Sequence, residues 1–166
     1  ASNNTAVGIN ALTANTTGTN CVAVGANALD ASNGNNNSAV GKGALGANTS
    51  GVSNTALGKD ALEANTTASN NTAVGNDALT ANTTGLANTA VGQNAMESNT
   101  TGTENAAFGA IALDANTTGN NNTACGRSAL GSNTTASNNV AVGYNSLLLN
   151  TTGHSNVAVG ALALDA

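Results

Sequence analysis

The residue pattern with the clearest chemical meaning is Asn-x-Thr or Asn-x-Ser, the acceptor sequence for N-linked glycans. It recurs at Asn15, Asn48, Asn65, Asn82, Asn99, Asn116, Asn133 and Asn150. One interpretation is a glycosylated stripe on an extracellular filament. The other is a turn in which Asn and Thr side chains stack as a structural ladder. Glycans on every repeat would crowd one another, so we favour the ladder and keep glycosylation as an alternative.

Pairs of adjacent threonines, such as Thr83-Thr84 and Thr100-Thr101, follow these asparagines. Flat threonine arrays on solenoids match an ice lattice, which makes ice binding a second alternative. Adjacent residues of a strand point to opposite faces, however, and such arrays use Thr-x-Thr. The pairs also lie beside Asn and Gly, which are typical of turns. Ice binding is therefore not our first hypothesis.

Carboxylates recur at two positions of the repeat. Asp60 and Asp77 share one position, and Asp30, Glu63, Glu97, Asp114 and Asp165 share another. Stacked carboxylates are potential calcium ligands, but the Gly-Gly-x-Gly-x-Asp signature of calcium β-rolls is missing. We expect a solvated acidic stripe that limits lateral aggregation, with no metal and no cofactor.

Catalytic chemistry has little support in this sequence. His154 is the only histidine and Tyr144 the only tyrosine. Neither has a Cys, Ser or carboxylate partner at a recurring position. We expect no enzymatic activity.

The two cysteines, Cys21 and Cys125, lie six repeats apart. At about 4.8 Å per stacked coil they would be roughly 29 Å apart, and a disulfide needs Cα atoms within about 7 Å. Cys125 replaces a Val and is expected to be a small buried hydrophobe. Cys21 replaces an Asn and is expected to be the more exposed of the two.

Charge and hydropathy exclude two classes of partner. The net charge is -5, and the chain has three Lys and Arg residues, one Tyr, one Phe and no Trp. Phosphates and stacked bases would find few groups to bind, so we expect no nucleic-acid binding. No apolar run approaches ~18 residues, so we expect no membrane insertion.

The chain is a tandem repeat with a glycine at a fixed position. That column comprises Gly8, Gly25, Gly41, Gly58, Gly75, Gly92, Gly109, Gly126, Gly143 and Gly160, spaced by seventeen residues except for sixteen between Gly25 and Gly41. We number the repeat so that this glycine is position 5. Such regularity is typical of a solenoid, and we interpret residues 1–166 as one uncapped repeat array.

Each repeat contains two short apolar segments, for example Thr72-Ala73-Val74 and Ala78-Leu79-Thr80-Ala81. Each is too short for a helix and is followed by turn residues. The pattern predicts strand, turn, strand and longer turn. We therefore predict an all-β fold, a parallel β-solenoid of ten coils with two short strands per coil and a length of about 48 Å.

Alternation along the strands predicts that Val74 and Leu79 point inward and that the neighbouring alanines point outward. Outward alanines would form a flat strip suited to close approach by another surface. We therefore predict that Ala73, Ala78, Ala90 and Ala95 lie in an interface between copies of this chain.

Three segments carry a family resemblance: Val22-Ala23-Val24-Gly25, Val140-Ala141-Val142-Gly143 and Val157-Ala158-Val159-Gly160. They resemble the core motif of the head repeats of trimeric autotransporter adhesins, which also occurs in phage tail fibres. The resemblance implies a left-handed β-roll that forms homotrimers and attaches to a host or surface receptor. It also implies an extracellular location, on a cell surface or in a virion fibre.

Neither end of the sequence shows an atypical coil of the kind that caps solenoids. An uncapped coil exposes unpaired amides and an apolar cross-section. We therefore expect coils to continue, either in a longer array or by end-to-end stacking of chains into a filament.

Overall fold

The computed structural model describes residues 1–165. Its strands are β1 (Thr5–Val7), β2 (Val22–Val24), β3 (Ser38–Val40), β4 (Thr55–Leu57), β5 (Thr72–Val74), β6 (Thr89–Val91), β7 (Ala106–Phe108), β8 (Thr123–Cys125), β9 (Val140–Val142) and β10 (Val157–Val159). All ten form one sheet in sequence order, and every neighbouring pair is parallel. The predicted all-β parallel solenoid is confirmed.

The register between coils follows the glycine spacing. Ala56 pairs with Ala73, seventeen residues further on, whereas Ala23 pairs with Ala39 across the one shorter interval. Identical repeat positions therefore stack directly above one another. The missing residue is absorbed outside the sheet, in the turns of that coil.

The expectation of two strands per coil is wrong, because the second apolar segment forms consecutive turns. The N–H of Ala78 donates to the carbonyl of Gly75 (3.4 Å), and the N–H of Asn82 donates to that of Leu79 (3.1 Å). Leu79 has a φ of 53°, a left-handed conformation that no strand residue adopts. The coils still pair at this wall, since Leu79 N–H donates to Ala95 O (3.0 Å).

The predicted side-chain orientation of the strands is also wrong. Ala73, Ala78, Ala90 and Ala95 are fully buried within the chain's own core, so they cannot form an interface between copies. Position 3 of the strand points inward, and positions 2 and 4 therefore point outward. The leucine or methionine of position 9 enters from the opposite wall and fills the interior, which leaves only methyl-sized space behind the strand.

Glycine at position 5 is required by both conformation and space. The ten glycines of this column have φ between 129° and 146°, a region that residues with a Cβ rarely adopt. A Cβ on Gly75 would also overlap the carbonyl group of Gly92 in the next coil. Any side chain here would push two coils apart.

The two cysteines lie in environments opposite to those expected from the sequence. Cys21 is buried and Cys125 is exposed, and both thiols are free. Cys125 occupies position 4, which faces outward. Cys21 occupies position 1, where an interior asparagine stands in the other coils, and its thiol donates to Gly34 O (3.2 Å).

Candidate functional site

Asparagines at position 12 form a ladder inside the rod. Nδ2 of Asn82 donates to Oδ1 of Asn65 in the preceding coil (3.1 Å) and to the carbonyl of Gly85 in its own turn (3.0 Å). The same pair of bonds is made by Asn65 and Asn99. The ladder both closes each turn and links it to the coil before it.

This ladder overturns the glycosylation alternative. Asn48, Asn65, Asn82, Asn99, Asn116 and Asn133 are fully buried, and Asn15 and Asn150 are half-buried. A glycan would attach to Nδ2, the atom that makes the two hydrogen bonds. Along the buried ladder there is neither a free N–H nor space for a sugar, so the folded rod cannot carry the glycosylated stripe.

A second ladder runs through position 1. Oδ1 of Asn71 accepts from the backbone N–H of Asn88 in the next coil (2.9 Å), and Nδ2 of Asn71 donates to Gly85 O (2.9 Å). The carbonyl of Gly85 thus accepts from both ladders. The two amides satisfy both lone pairs of one buried oxygen, which a buried carbonyl needs for full compensation.

The threonine pairs divide into two kinds of residue. The first threonine of each pair is tied to the ladder between coils, as where Thr83 Oγ1 donates to Thr100 O (3.1 Å). The second, such as Thr84 or Thr101, is exposed. The long turn therefore presents a single row of free hydroxyl groups. Ice binding at this turn would need two aligned rows, so its geometric basis is missing.

All carboxylates except Glu104 lie in the turns that follow the strands, and Glu104 lies in the long turn. Lys59 forms ion pairs with Asp60 and with Asp77, the second at 3.8 Å, and the hydrogen bond and charge of Asp60 raise the pKa of Lys59. Partial burial raises the pKa of Asp114. Among residues 1–165 no three metal-ligating side chains approach closely enough to hold an ion.

The strands expose a continuous uncharged surface, which we call the outer strand face. Its position-4 row is Val7, Val24, Val40, Leu57, Val74, Val91, Phe108, Cys125, Val142 and Val159. Its position-2 row is Thr5, Val22, Ser38, Thr55, Thr72, Thr89, Ala106, Thr123, Val140 and Val157. The larger members reach well into solvent, with Leu57 47% and Phe108 45% exposed.

Charged side chains are confined to the turns. Lys42, Lys59 and Arg127 occupy position 6, directly after the glycine, and the carboxylates occupy positions 7, 10 and 17. None lies in either row of the outer strand face. Continuous exposed apolar surface of this kind marks an interaction site in soluble proteins, so the outer strand face is the candidate functional site.

Sequence reasoning missed this site, although one signal pointed to it. Position 3 is alanine in every repeat, whereas position 4 ranges from Cys125 to Phe108. A tightly packed interior tolerates little change in volume. The variable row therefore faces solvent, and the invariant alanine row lines the core.

Comparisons of this chain with protein-family models, with curated proteins and with solved structures gave no match. Within the described residues, no helix has the length and apolar character needed to cross a membrane.

Proposed function

We propose that this chain is a structural rod that associates side by side with copies of itself through the outer strand face. The observation that carries the proposal is the apolar position-4 row, which runs outward and uncharged across β1–β10. Burying such a row removes apolar area from water, the main driving force of association. The rod itself supplies a rigid, extended support.

A second copy is the partner that best fits this face. Its rows have the same spacing, about 4.8 Å between coils, so every coil of one rod can oppose a coil of the next in the same register. An unrelated protein would match this spacing only by chance. The acidic turns on one side of each rod repel one another and direct association to the uncharged strand side.

The size of the face favours more than two chains. Ten strands of three residues give a surface of roughly 45 by 10 Å, smaller than the ~800 Å² that each partner buries in a standard complex. In a trimer each rod contacts two neighbours, and the turns beside the face add to the buried area. A homotrimer agrees with the resemblance to autotransporter adhesin heads and phage tail fibres.

The biological role that we propose is a segment of an extracellular or virion fibre that serves in attachment. This role rests on the same resemblance and on the rod-like repeat. A receptor would meet the parts of each coil that self-association leaves free, which are the polar turns.

Replacing two residues of the outer strand face tests the assembly. We expect Leu57→Lys with Phe108→Lys to convert the assembly to monomers, because each lysine would place a charge in the apolar contact. The matched control is Thr67→Lys with Thr118→Lys, which adds the same charges to exposed turn positions of the same coils. Sedimentation measures mass, and circular dichroism verifies the fold. A monomeric parent protein, or equal assembly of both variants, would refute the proposal.

Ice binding at the outer strand face is a second candidate. Thr55, Thr72 and Thr89 stand side by side on β4–β6, each two residues before an aliphatic side chain, so part of the face is a regular flat Thr-x-aliphatic array. The array is interrupted elsewhere, by Ser38 and Ala106. We expect no thermal hysteresis, since self-association covers this face. Hysteresis that disappears in Thr72→Lys would instead favour ice binding.

A further inference from the structure

The one sixteen-residue coil, between Gly25 and Gly41, differs chemically from the others. Its long turn contains Asn33 followed directly by Gly34, the only Asn-Gly step in the sequence. Asn33 is exposed, and Gly34 is buried behind it. Ser32 stands at position 12, where most coils have the ladder asparagine.

The side chain of Asn33 replaces a backbone group that the shorter coil lacks. In regular coils the N–H groups of Thr83 and Thr84 both donate to the backbone carbonyl of Thr100 (3.0 and 3.3 Å). At the short coil, the N–H groups of Thr16 and Thr17 donate to Oδ1 of Asn33 instead (2.8 and 3.2 Å). The amide oxygen therefore continues the ladder in place of a peptide carbonyl.

Four donors converge on this one oxygen. Besides the two backbone N–H groups, Oγ1 of Thr16 lies 2.9 Å and Oγ1 of Thr17 lies 3.3 Å from Asn33 Oδ1. Two backbone N–H groups with additional hydroxyl donors form the arrangement that stabilises an oxyanion during acyl transfer. The same donors polarise the side-chain amide carbonyl towards nucleophilic attack.

The nucleophile for such an attack is adjacent in the chain. In the coils of Gly18 and Gly153 the N–H of the glycine after the threonines donates to the position-12 asparagine, at 2.7 Å to Asn15 Oδ1 and at 3.1 Å to Asn150 Oδ1. With Ser32 at position 12, this acceptor is missing in the short coil, and within residues 1–165 the N–H of Gly34 donates to no group. Gly34 also has no Cβ to hinder approach to the Asn33 side chain.

We propose that Asn33 is a site of spontaneous self-modification, in which the folded rod promotes its own deamidation. The backbone nitrogen of Gly34 attacks Cγ of Asn33 and gives its proton to solvent, and the negative charge forms on Oδ1 among the four donors. The tetrahedral intermediate collapses, the Cγ–Nδ2 bond breaks, and the amide group takes a proton from solvent and leaves as ammonia. The product is a cyclic succinimide.

Water then opens the succinimide at either carbonyl. Attack at one carbonyl leaves an ordinary aspartate in place of the asparagine, and attack at the other gives an isoaspartyl link that carries the chain through the former side chain. Both products add one negative charge to the formal -5 of the chain. The new carboxylate accepts hydrogen bonds from the same threonine N–H groups, which charge assistance strengthens. The isoaspartyl form also lengthens the backbone of the one short coil.

Peptide mapping tests the proposal. The folded protein and a urea-unfolded sample are incubated side by side in mildly alkaline buffer, and brief trypsin digestion releases the fragment Ala1–Lys42. Mass spectrometry then quantifies the exchange of NH₂ for OH at Asn33 and distinguishes aspartyl from isoaspartyl products. We expect Asn33 to react before any other asparagine, and faster in the folded sample than in the unfolded one.

The paired variant Thr16→Val with Thr17→Val removes both hydroxyl donors and keeps both backbone N–H groups. Both side chains are exposed, so the fold should persist, which circular dichroism verifies. We expect the folded-state rate at Asn33 to fall several-fold while the unfolded-state rate stays the same. Slower reaction in the folded parent than in the unfolded parent would overturn the proposal, as would an unchanged folded-state rate in the variant.

Discussion

One wall of the rod is formed by the strands β1–β10, and another by the long turns between positions 12 and 1 of each repeat. These two walls, the strand wall and the turn wall, distribute polar groups in opposite ways. At the strand wall the interior holds only the methyl groups of alanine, and the larger apolar side chains, such as Leu57 and Phe108, face solvent. At the turn wall the interior is polar and contains two ladders of buried asparagines. The strand wall is therefore built for contact with another surface, and the turn wall for cohesion between coils.

The difference follows from how each wall satisfies its backbone. Strand N–H and C=O groups pair directly with neighbouring coils, so the side chains behind them can be small and apolar. The long turn cannot pair all of its backbone groups in this way, and a buried unpaired group costs about 1–3 kcal/mol. Asparagine supplies both a donor and an acceptor, which meet the carbonyl of Gly85 and the N–H of Asn88.

The largest effect that we expect comes from placing a charge behind the strand wall. Ala73→Glu would bury a carboxylate in a space that holds one methyl group, with no cation beside it. An uncompensated buried charge destabilises by about 3–5 kcal/mol, so we expect the central coils to unfold. Urea denaturation monitored by circular dichroism measures the loss.

Thr72→Glu is the matched control, since Thr72 is the adjacent residue on the same strand and points outward. Measured on the isolated rod, in the Leu57→Lys, Phe108→Lys background that should abolish assembly, we expect Thr72→Glu to change the free energy of unfolding by less than ~1 kcal/mol. Similar stability of the two variants would show that the alanine row does not line the core.

The repeat period was sufficient to predict the parallel solenoid and the glycine column, because stacking a repeat in register follows directly from its spacing. The direction of the strand side chains was not predictable from hydrophobicity. A strand of three residues has only one alternation, and the larger Val74 was assumed to fill the core in preference to Ala73. Leu79 reverses that choice, because its left-handed backbone turns it into the space behind the strand.

The environment of the asparagines was only partly predictable. Their recurrence indicated a hydrogen-bonded ladder, which is confirmed. Burial was not predictable, because the Asn-x-Thr pattern of Asn82 is the same whether its amide is buried or exposed. Burial depends on where the turn places position 12 relative to the core. That placement requires the consecutive turns from Gly75 to Asn82, of which residues 78–81 were predicted as a strand.

A smaller effect is expected from interrupting a ladder of the turn wall. Asn82→Ala leaves Gly85 O with one donor instead of two and deprives Asn99 Nδ2 of its acceptor at 2.9 Å. We expect a loss of about 1–3 kcal/mol in the free energy of unfolding. Thr84→Ala, on the exposed side of the same turn, is the control and should be nearly neutral. Equal stabilities would mean that the buried amides contribute no net cohesion.

The smallest expected effect is a gain, at the coil where the position-1 ladder is broken. Cys21 replaces the asparagine there, and its thiol still donates to Gly34 O at 3.2 Å. A thiol lacks the amide oxygen that Asn71 offers to the N–H of Asn88, so the equivalent N–H of Asn37 has no such acceptor. Cys21→Asn should keep the bond to Gly34 O and restore the missing acceptor for the N–H of Asn37.

One additional buried hydrogen bond is worth about 1 kcal/mol, which for a chain of this length raises the melting temperature by about 2–4 °C. Differential scanning calorimetry measures the shift, under reducing conditions so that the exposed thiol of Cys125 does not cross-link chains. Cys125→Ser is the matched control, since it removes a thiol from the outer strand face and should leave the melting temperature of the isolated rod unchanged. A lower melting temperature in Cys21→Asn would contradict this prediction. It would show that the interior at position 1 of this coil fits the smaller thiol, and that the asparagine ladder does not extend through this coil.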